Sequence, residues 1–574
     1  MASIFCLGLG HQANAATSKS QEQSIQAEIV VYGGASGGVS AAVQAARMGR
    51  QVVLVSEYDH LGGMTSSGLG WSDIGNESIL GGVCREFYHQ VYLHYQQDEA
   101  WNIQPRARFA NRGQGVPALN DRTELASVFE PKVAEAVFDK LVADAGVRLV
   151  FGRLDLRRGV DKRGARITAL HLEDGRTVRG RVYIDASYEG DLLEAAGVSF
   201  ATGREPNSAY GETSNGITGL EYGNQLVEGV DPYLAPGDPT SGLLPGVNPS
   251  RGGPIGSGDH RIQAYCYRMV LTDAPGNRAP IAKPAGYDAA DYELLFRCIE
   301  AGQTSRFFKN DWMPNRKTDS NNASGISTDY IGANYGDDWN WATLNYAQRE
   351  ELASRHRDWQ LGMLWTLQHH PRVPSSVRER CSKWGLAKDE FVDNQNWPYV
   401  IYIREARRMV SDFVMTERHC CGLEPVAHSI GMGAYTLDSH NVQRYVHDGM
   451  VKNEGDIQKR IQRPYSIPYQ AIIPREPECD NLLVPWALSA SHIAFGSIRM
   501  EPVFMVLGQS AATAAAIAVS DNIAVQQVPY QRLRERLERD GQFLSLPVNV
   551  AADNSDATGA KPPRGAVRKA TERL

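Results

Sequence analysis

EIVVYGGASGGVSAAVQAARMGRQVVLVSE, residues Glu28–Glu57, is the stretch on which the fold turns. It reads as strand, glycine turn, small-residue helix, second strand and acid. Glu28–Tyr32 carries two valines and an isoleucine, as a buried strand does. Gly33, Gly34, Gly37 and Gly38 let the backbone turn sharply and come close to a phosphate. The helix begins at once, so its free N–H groups and positive dipole end face that phosphate. Ala41, Ala42, Ala45 and Ala46 are small enough for the helix to lie close on a sheet. Val52–Val55 is the next strand. Glu57, 19 residues beyond Gly38, is placed to accept hydrogen bonds from ribose hydroxyls. This is a dinucleotide-binding βαβ unit with one departure from the GxGxxG fingerprint: Ala35 stands at the middle glycine.

The chain has 574 residues, enough for two or three packed domains, and 42% apolar with 22% charged residues fits a globular protein. Net charge is −7 with no long basic run, which argues against a nucleic-acid partner. No run of about 18 or more apolar residues occurs, so no membrane span is expected. At the N-terminus, Ile4–Gly10 is a short apolar run and Ala13-Asn14-Ala15 a small-residue cleavage pattern, without a preceding basic residue or a twin arginine. This resembles the end of a signal peptide and implies a periplasmic or secreted protein, or otherwise a cytoplasmic one. The eight cysteines contain no CxxC. Cys420-Cys421 is either a vicinal disulfide or two buried thiols.

Past Glu57, Gly62-Gly63 makes a second glycine turn inside Tyr58–Asp73. Helices are expected over Gly81–Tyr95 and Pro131–Ala143, the latter with Pro131 in its first turn, and a strand over Val147–Phe151. Arg166–Leu172 and Thr177–Ile184 form a β-meander, and Val182–Asp185 returns to the parallel sheet. Asp185–Val198, DASYEGDLLEAAGV, then runs into a helix.

The runs VYGGASGGVSAA, HLGGMTSSGLGWSD and YIDASYEGDLLEAAGV, with TGREP (Thr202–Pro206), IQAYCYRMVLT (Ile262–Thr272), IYIREARRMV (Ile401–Val410), SIGMGAYTLDSHN (Ser429–Asn441) and Leu482–Ala515, resemble the bacterial FAD-dependent oxidoreductase family. That family is distantly similar to succinate dehydrogenase and fumarate reductase flavoproteins, and some of its members carry a xanthan-lyase label. The resemblance implies a Rossmann-type α/β FAD-binding domain with a β-meander and an inserted mixed α/β substrate domain. It implies FAD held by Gly33, Ala35, Ser36, Gly37, Gly38, Glu57, Gly62, Gly63, Met64, Thr65, Ala186, Ser187, Asp191, Gly508 and Gln509. The corresponding divisions are a signal-like segment and linker (1–26), FAD domain (27–205), substrate domain (206–472), FAD domain again (473–549) and a flexible tail (550–574). In the insertion, helices are expected near Tyr346–Gln368 and Pro398–Val414. In the closing piece an alanine-rich helix is expected over Met505–Val519, its start near Gly508.

Flavin carries the electron chemistry, so side chains must position substrate and move a proton. His492 is the first candidate base, or else a histidine bonded to flavin or backbone. Arg499 and Glu501, two apart on an extended segment, would face the same way, as a catalytic pair or an ion pair. Arg404 and Arg408, four apart on a helix, would hold a substrate carboxylate or sulfate, or else bridge domains. Asp438 and His440 form a candidate carboxylate–imidazole pair. Lys317, Asp319, Asn321 and Asn322 would bind substrate hydroxyls or pin a turn. His60 would link flavin covalently or simply hydrogen-bond in its loop. No metal motif is present. The reading is an FAD-dependent oxidoreductase that takes a hydride from a small polar organic substrate, such as a sugar or hydroxy acid, and passes electrons to an acceptor the sequence does not identify. The alternatives are a lyase or hydrolase using FAD as a transient internal oxidant, a nicotinamide-only dehydrogenase, and a non-catalytic binding protein.

Overall fold

The computed structural model describes residues 23–221, 223–330, 334–335 and 339–546. The signal-like residues 1–22 and the tail 550–574 lie outside them. The frame is a five-stranded parallel sheet. Its strands are β1 (Ile29–Tyr32), β2 (Val52–Ser56), β3 (Arg148–Phe151), β4 (Val182–Asp185) and β5 (Leu482–Leu483), in the order β5-β4-β1-β2-β3. Every residue of β1, β2 and β4 is buried, which is why these strands read as apolar runs without alternation. β5 arrives some 300 residues after β4 in the chain, so the sheet is completed by distant sequence.

Helix α1 (Ser36–Arg47) follows the glycine turn. Helices α2 (Gly82–Tyr95) and α3 (Pro131–Asp144) stand where their four-residue apolar spacing puts them. Helix α4 (Tyr346–His369) opens on a capping box in which Asn345 and Gln348 satisfy each other's backbone N–H groups. Two helices close the domain: α5 (His492–Ile498) and α6 (Glu501–Asp521). Helix α6 is long and apolar enough to cross a membrane, yet 94% of its most apolar window is buried inside the fold. It is the central core helix, crossing α1 where a Cβ on Gly508 would lie 2.0 Å from the Gly37 carbonyl oxygen.

The meander is present as Val160–Arg163, Arg166–His171 and Thr177–Arg179. Ser24–Gln26, read from sequence as linker, pairs parallel with Thr177–Arg179 as a fourth strand. The middle of the chain builds an antiparallel five-stranded sheet from Met269–Thr272, Arg278–Ala279, Asp311–Met313, Lys317–Ser320 and Gly385–Ala387. Residues 398–414 are not the expected helix. They are irregular apart from the short strand Arg408–Met409, because their arginines reach partners in different directions. Cys420 and Cys421 are free thiols, the first buried.

Candidate active site

Four segments meet at the N-terminus of α1. Gly33 has φ +110°, and a Cβ there would sit 2.5 Å from the Ala186 carbonyl, so only glycine lets the turn touch the end of β4. Ala35 has φ −68° and ψ 173°, ordinary extended backbone, so the methyl at the fingerprint's middle position adds no strain. Gly62 donates its N–H to the Gly34 carbonyl (2.8 Å), which docks the second glycine turn on the first. Glu501, the first residue of α6, reaches in from the far end of the chain. It accepts hydrogen bonds from Ser36 Oγ, from Thr65 Oγ1 (2.9 Å) and from the Tyr188 hydroxyl (3.0 Å). Tyr188 in turn accepts from the Met64 N–H (2.6 Å). Burial pushes the Glu501 carboxyl up to about 7, against the pull of those three hydroxyls.

At the end of β2, Glu57 lines a cavity of about 400 Å³ whose walls include Tyr58, Trp341, Tyr346, Trp397 and Tyr399. The flat rings and the carboxyl suit a nucleoside, and the glycine-lined turn beside them suits its phosphates. Burial, with Glu189 and Asp191 close by, holds Glu57 well above the usual carboxylate range. Asp191 itself is clasped by Arg349 (2.7 and 2.8 Å) and Arg407 (2.9 Å). Its carboxylate is committed to those arginines. Ser187 Oγ bonds Asp185 and takes the Gly190 N–H (3.2 Å), so it shapes the turn after β4.

A second polar centre begins two residues before Glu501. Arg499 ends α5 and turns the other way, donating to Asp438 Oδ2 (2.7 Å) and the Tyr402 hydroxyl (2.9 Å). Asp438 faces His440 Nε2 at 3.5 Å. His440 Nδ1 is 2.7 Å from Asp329 Oδ2, and Arg404 donates to Asp329 Oδ1 at 3.0 Å. Against the cost of burial, His440 and Arg499 hold Asp438 down at about 2, and Arg404 and His440 hold Asp329 well below the usual range. The Tyr402 ring carries Arg404 at 4.7 Å and both Arg268 and Arg499 at 5.7 Å. The loop after Gly63 joins the two centres: Ser67 Oγ accepts from the Val400 N–H (2.8 Å), and Asp73 accepts from the Tyr435 hydroxyl (3.1 Å).

The structure therefore brings His440, Arg404 and Arg499 together and sends Glu501 to the glycine turn. Arg499 and Glu501 do not face one way, because a helix ends at one and another begins at the other. His492 is 1% exposed, with Nδ1 on Glu405 (2.7 Å) and Nε2 3.3 Å from Ser439 Oγ, so it has no free face for a substrate. Arg404 and Arg408 share no face: Arg408 turns to Glu205, Glu405 and the Gly203 carbonyl. Helix α6 begins at Glu501 with Pro502 in its first turn, which leaves Gly508 and Gln509 in its second and third turns. Gly508 packs α6 on α1, and Gln509 accepts from the Val83 N–H (2.8 Å) to dock α2. Lys317 is fully buried on a strand among Glu130, Asp389 and Glu390, and pins the fold. His60 stacks on Tyr399 and bonds Glu135 (2.6 Å). Sequence reasoning missed Asp329, Tyr402 and Arg268. Tyr402 and Arg268 lie in runs that carry the family resemblance, and Asp329 had no signal.

Parallel sheet, glycine turn and acid at the end of β2 define a dinucleotide-binding oxidoreductase fold. The chain belongs to the FAD dependent oxidoreductase family, whose profile matches residues 28–537. It is an FAD-dependent enzyme, and the glycine turns, the nucleoside cavity and Glu57 fit that cofactor. No curated protein matches the chain. Among solved structures it is similar to the OxyS anhydrotetracycline hydroxylase from Streptomyces rimosus, at 15% identity over 32% of this chain and 36% of that one, TM-score 0.22. It is similar to the 3-ketosteroid-delta4-(5alpha)-dehydrogenase from Rhodococcus jostii RHA1, at 15% over 32% and 50%, TM-score 0.19. It is also similar to the L-proline dehydrogenase from P. horikoshii, at 15% over 32% and 59%, TM-score 0.22. Each likeness covers less than two thirds of the solved chain, and at these scores it carries no argument about activity.

Proposed function

We propose that the protein oxidises a small polar organic substrate at a carbon bearing OH or NH, a sugar or hydroxy acid fitting best, with His440 as the proton acceptor. When bound, FAD supplies the hydride acceptor. Gly33, Ser36, Gly38, Gly62 and Thr65 would hold its phosphates, and Glu57 its ribose. The observation that carries the reading is the relay Arg404–Asp329–His440–Asp438–Arg499 beside that cradle. Asp329 orients the imidazole through the close contact at Nδ1, and Nε2, with the looser 3.5 Å approach to Asp438, is the nitrogen that would take a substrate proton. The two carboxylates stay ionised next to their arginines, so they stabilise an imidazolium as it forms. Arg499 and Tyr402 offer fixed donors to a substrate oxygen that gains charge.

An anaerobic screen of sugars, hydroxy acids and amines tests this. A substrate should bleach the flavin once and stop until an acceptor is added. If no compound bleaches it, the oxidoreductase reading of the relay fails. Continuous product formation without any acceptor would place the protein with the lyases instead. Export to the periplasm, which the N-terminal run supports, is tested by cleavage of that run in cells.

A further inference from the structure

Arg444 stands on the strand Gln443–His447, opposite Asn453. It is 5% exposed, and among the described residues no hydrogen bond or ion pair reaches its guanidinium. Its Nε is buried without a partner. Every other buried arginine among the described residues has a carboxylate partner. Burial lowers its pKa to about 10, the response of a cation taken from water without a counter-charge. An uncompensated buried charge is destabilising, so a fold that keeps one has a use for it.

Arg444 lines a cavity of about 480 Å³ in the inserted region. Aromatic rings wall it: Tyr330 stacks with Trp359 at 5.1 Å, and Tyr287 with Tyr292 at 5.2 Å. Asp291, Arg355 and Asp358 also line it and are exposed. Two carboxylates against one arginine at the rim disfavour a polyanion. Cavity size, ring walls and a single desolvated guanidinium together suit a small ring with one carboxylate, which a guanidinium grips with two parallel hydrogen bonds.

We propose that this cavity is a binding site for a ring-borne monocarboxylate, with Arg444 as its anchor. Tyr330 in its wall follows Asp329, the residue that orients His440, so the site backs onto the relay without sharing its side chains. It does not depend on the redox reading.

The test is calorimetric titration of the FAD-loaded protein with benzoate and with the neutral benzamide. Benzoate should bind saturably and benzamide at least ~10-fold more weakly, the scale expected for a charge-assisted bidentate contact. Arg444→Met should lower benzoate affinity at least ~10-fold while keeping the flavin, and should unfold at an equal or higher denaturant midpoint, since it removes an unpaired buried charge. Arg444→Lys should bind at an intermediate level. Absence of saturable benzoate binding, equal binding of benzamide, or unchanged affinity in Arg444→Met overturns the proposal. So does an Arg444→Met protein that loses FAD and unfolds early, which would assign the arginine to the fold.

Discussion

Arg499 and Glu501 are separated by one residue and serve two different centres. Arg499 caps the end of α5 and pairs with Asp438 in the relay, while Glu501 opens α6 and ties the glycine turn to Thr65 and Tyr188. The Arg499–Glu501 turn is thus the covalent link between cofactor cradle and relay, and it sets the distance between them.

Glu501 makes the apoprotein's stability depend on pH. Its folded pKa of about 7 lies above the ordinary 4.5, so between those values the folded state holds more protons than the unfolded one. Its contribution is complete below pH 4.5 and lost as pH rises through 7. Unfolding of the apoprotein in urea should show ~3 kcal/mol less stability at pH 7.5 than at pH 4.5 from this group. Glu501→Gln should flatten that difference, and an unchanged pH profile would show the carboxyl to be ordinary.

His440→Gln should keep the yellow flavin and lose flavin reduction by substrate about 10²–10⁴-fold, the usual scale of a general base. His492→Gln, at a ring bonded to Glu405 and Ser439, should cost stability rather than the proton-transfer step. Rapid-scan reduction of the two variants decides between the histidines.

Asp329→Asn leaves Arg404 buried without its counter-charge and His440 without its orienting partner. The expected loss is ~3–5 kcal/mol in denaturant unfolding, together with slower flavin reduction. A variant as stable as the parent would mean that Arg404 finds another partner.

Gly508→Ala should be the costlier of two methyl exchanges in the cradle. The added Cβ meets the Gly37 carbonyl at 2.0 Å, so α1 and α6 must part, at ~1–3 kcal/mol and with weaker FAD retention. Ala35→Gly needs no special φ and should bind FAD much as the parent does. Flavin retention on gel filtration compares them directly.

The segment 398–414 marks where local reading failed. Its Arg-, Glu- and Ala-rich run favours a helix by propensity, yet Arg404, Arg407 and Arg408 each bury a guanidinium against a different carboxylate. Four-residue helical spacing cannot satisfy all three at once, so tertiary pairing overrides propensity. The start of α6 differs for a smaller reason: the alanine run draws the expected start towards Gly508, whereas Pro502, a first-turn signal, marks where the helix begins.

From the sequence alone came what is local: the glycine turn, the acid 19 residues beyond Gly38, the strands of the parallel sheet and the flavin-dependent class. The turn, the acid and each strand depend on residues within about 30 positions of one another, where backbone geometry and apolar spacing are read directly, while the flavin-dependent class came from a resemblance carried by runs along most of the chain. Tertiary structure alone decided that His440 stays partly exposed while His492 is sealed in, that Asp191 serves two arginines, and that Arg444 stands unpaired. Each depends on which charges from distant segments are buried together. Buried charge is settled by the whole packed interior, and no spacing along the chain records it.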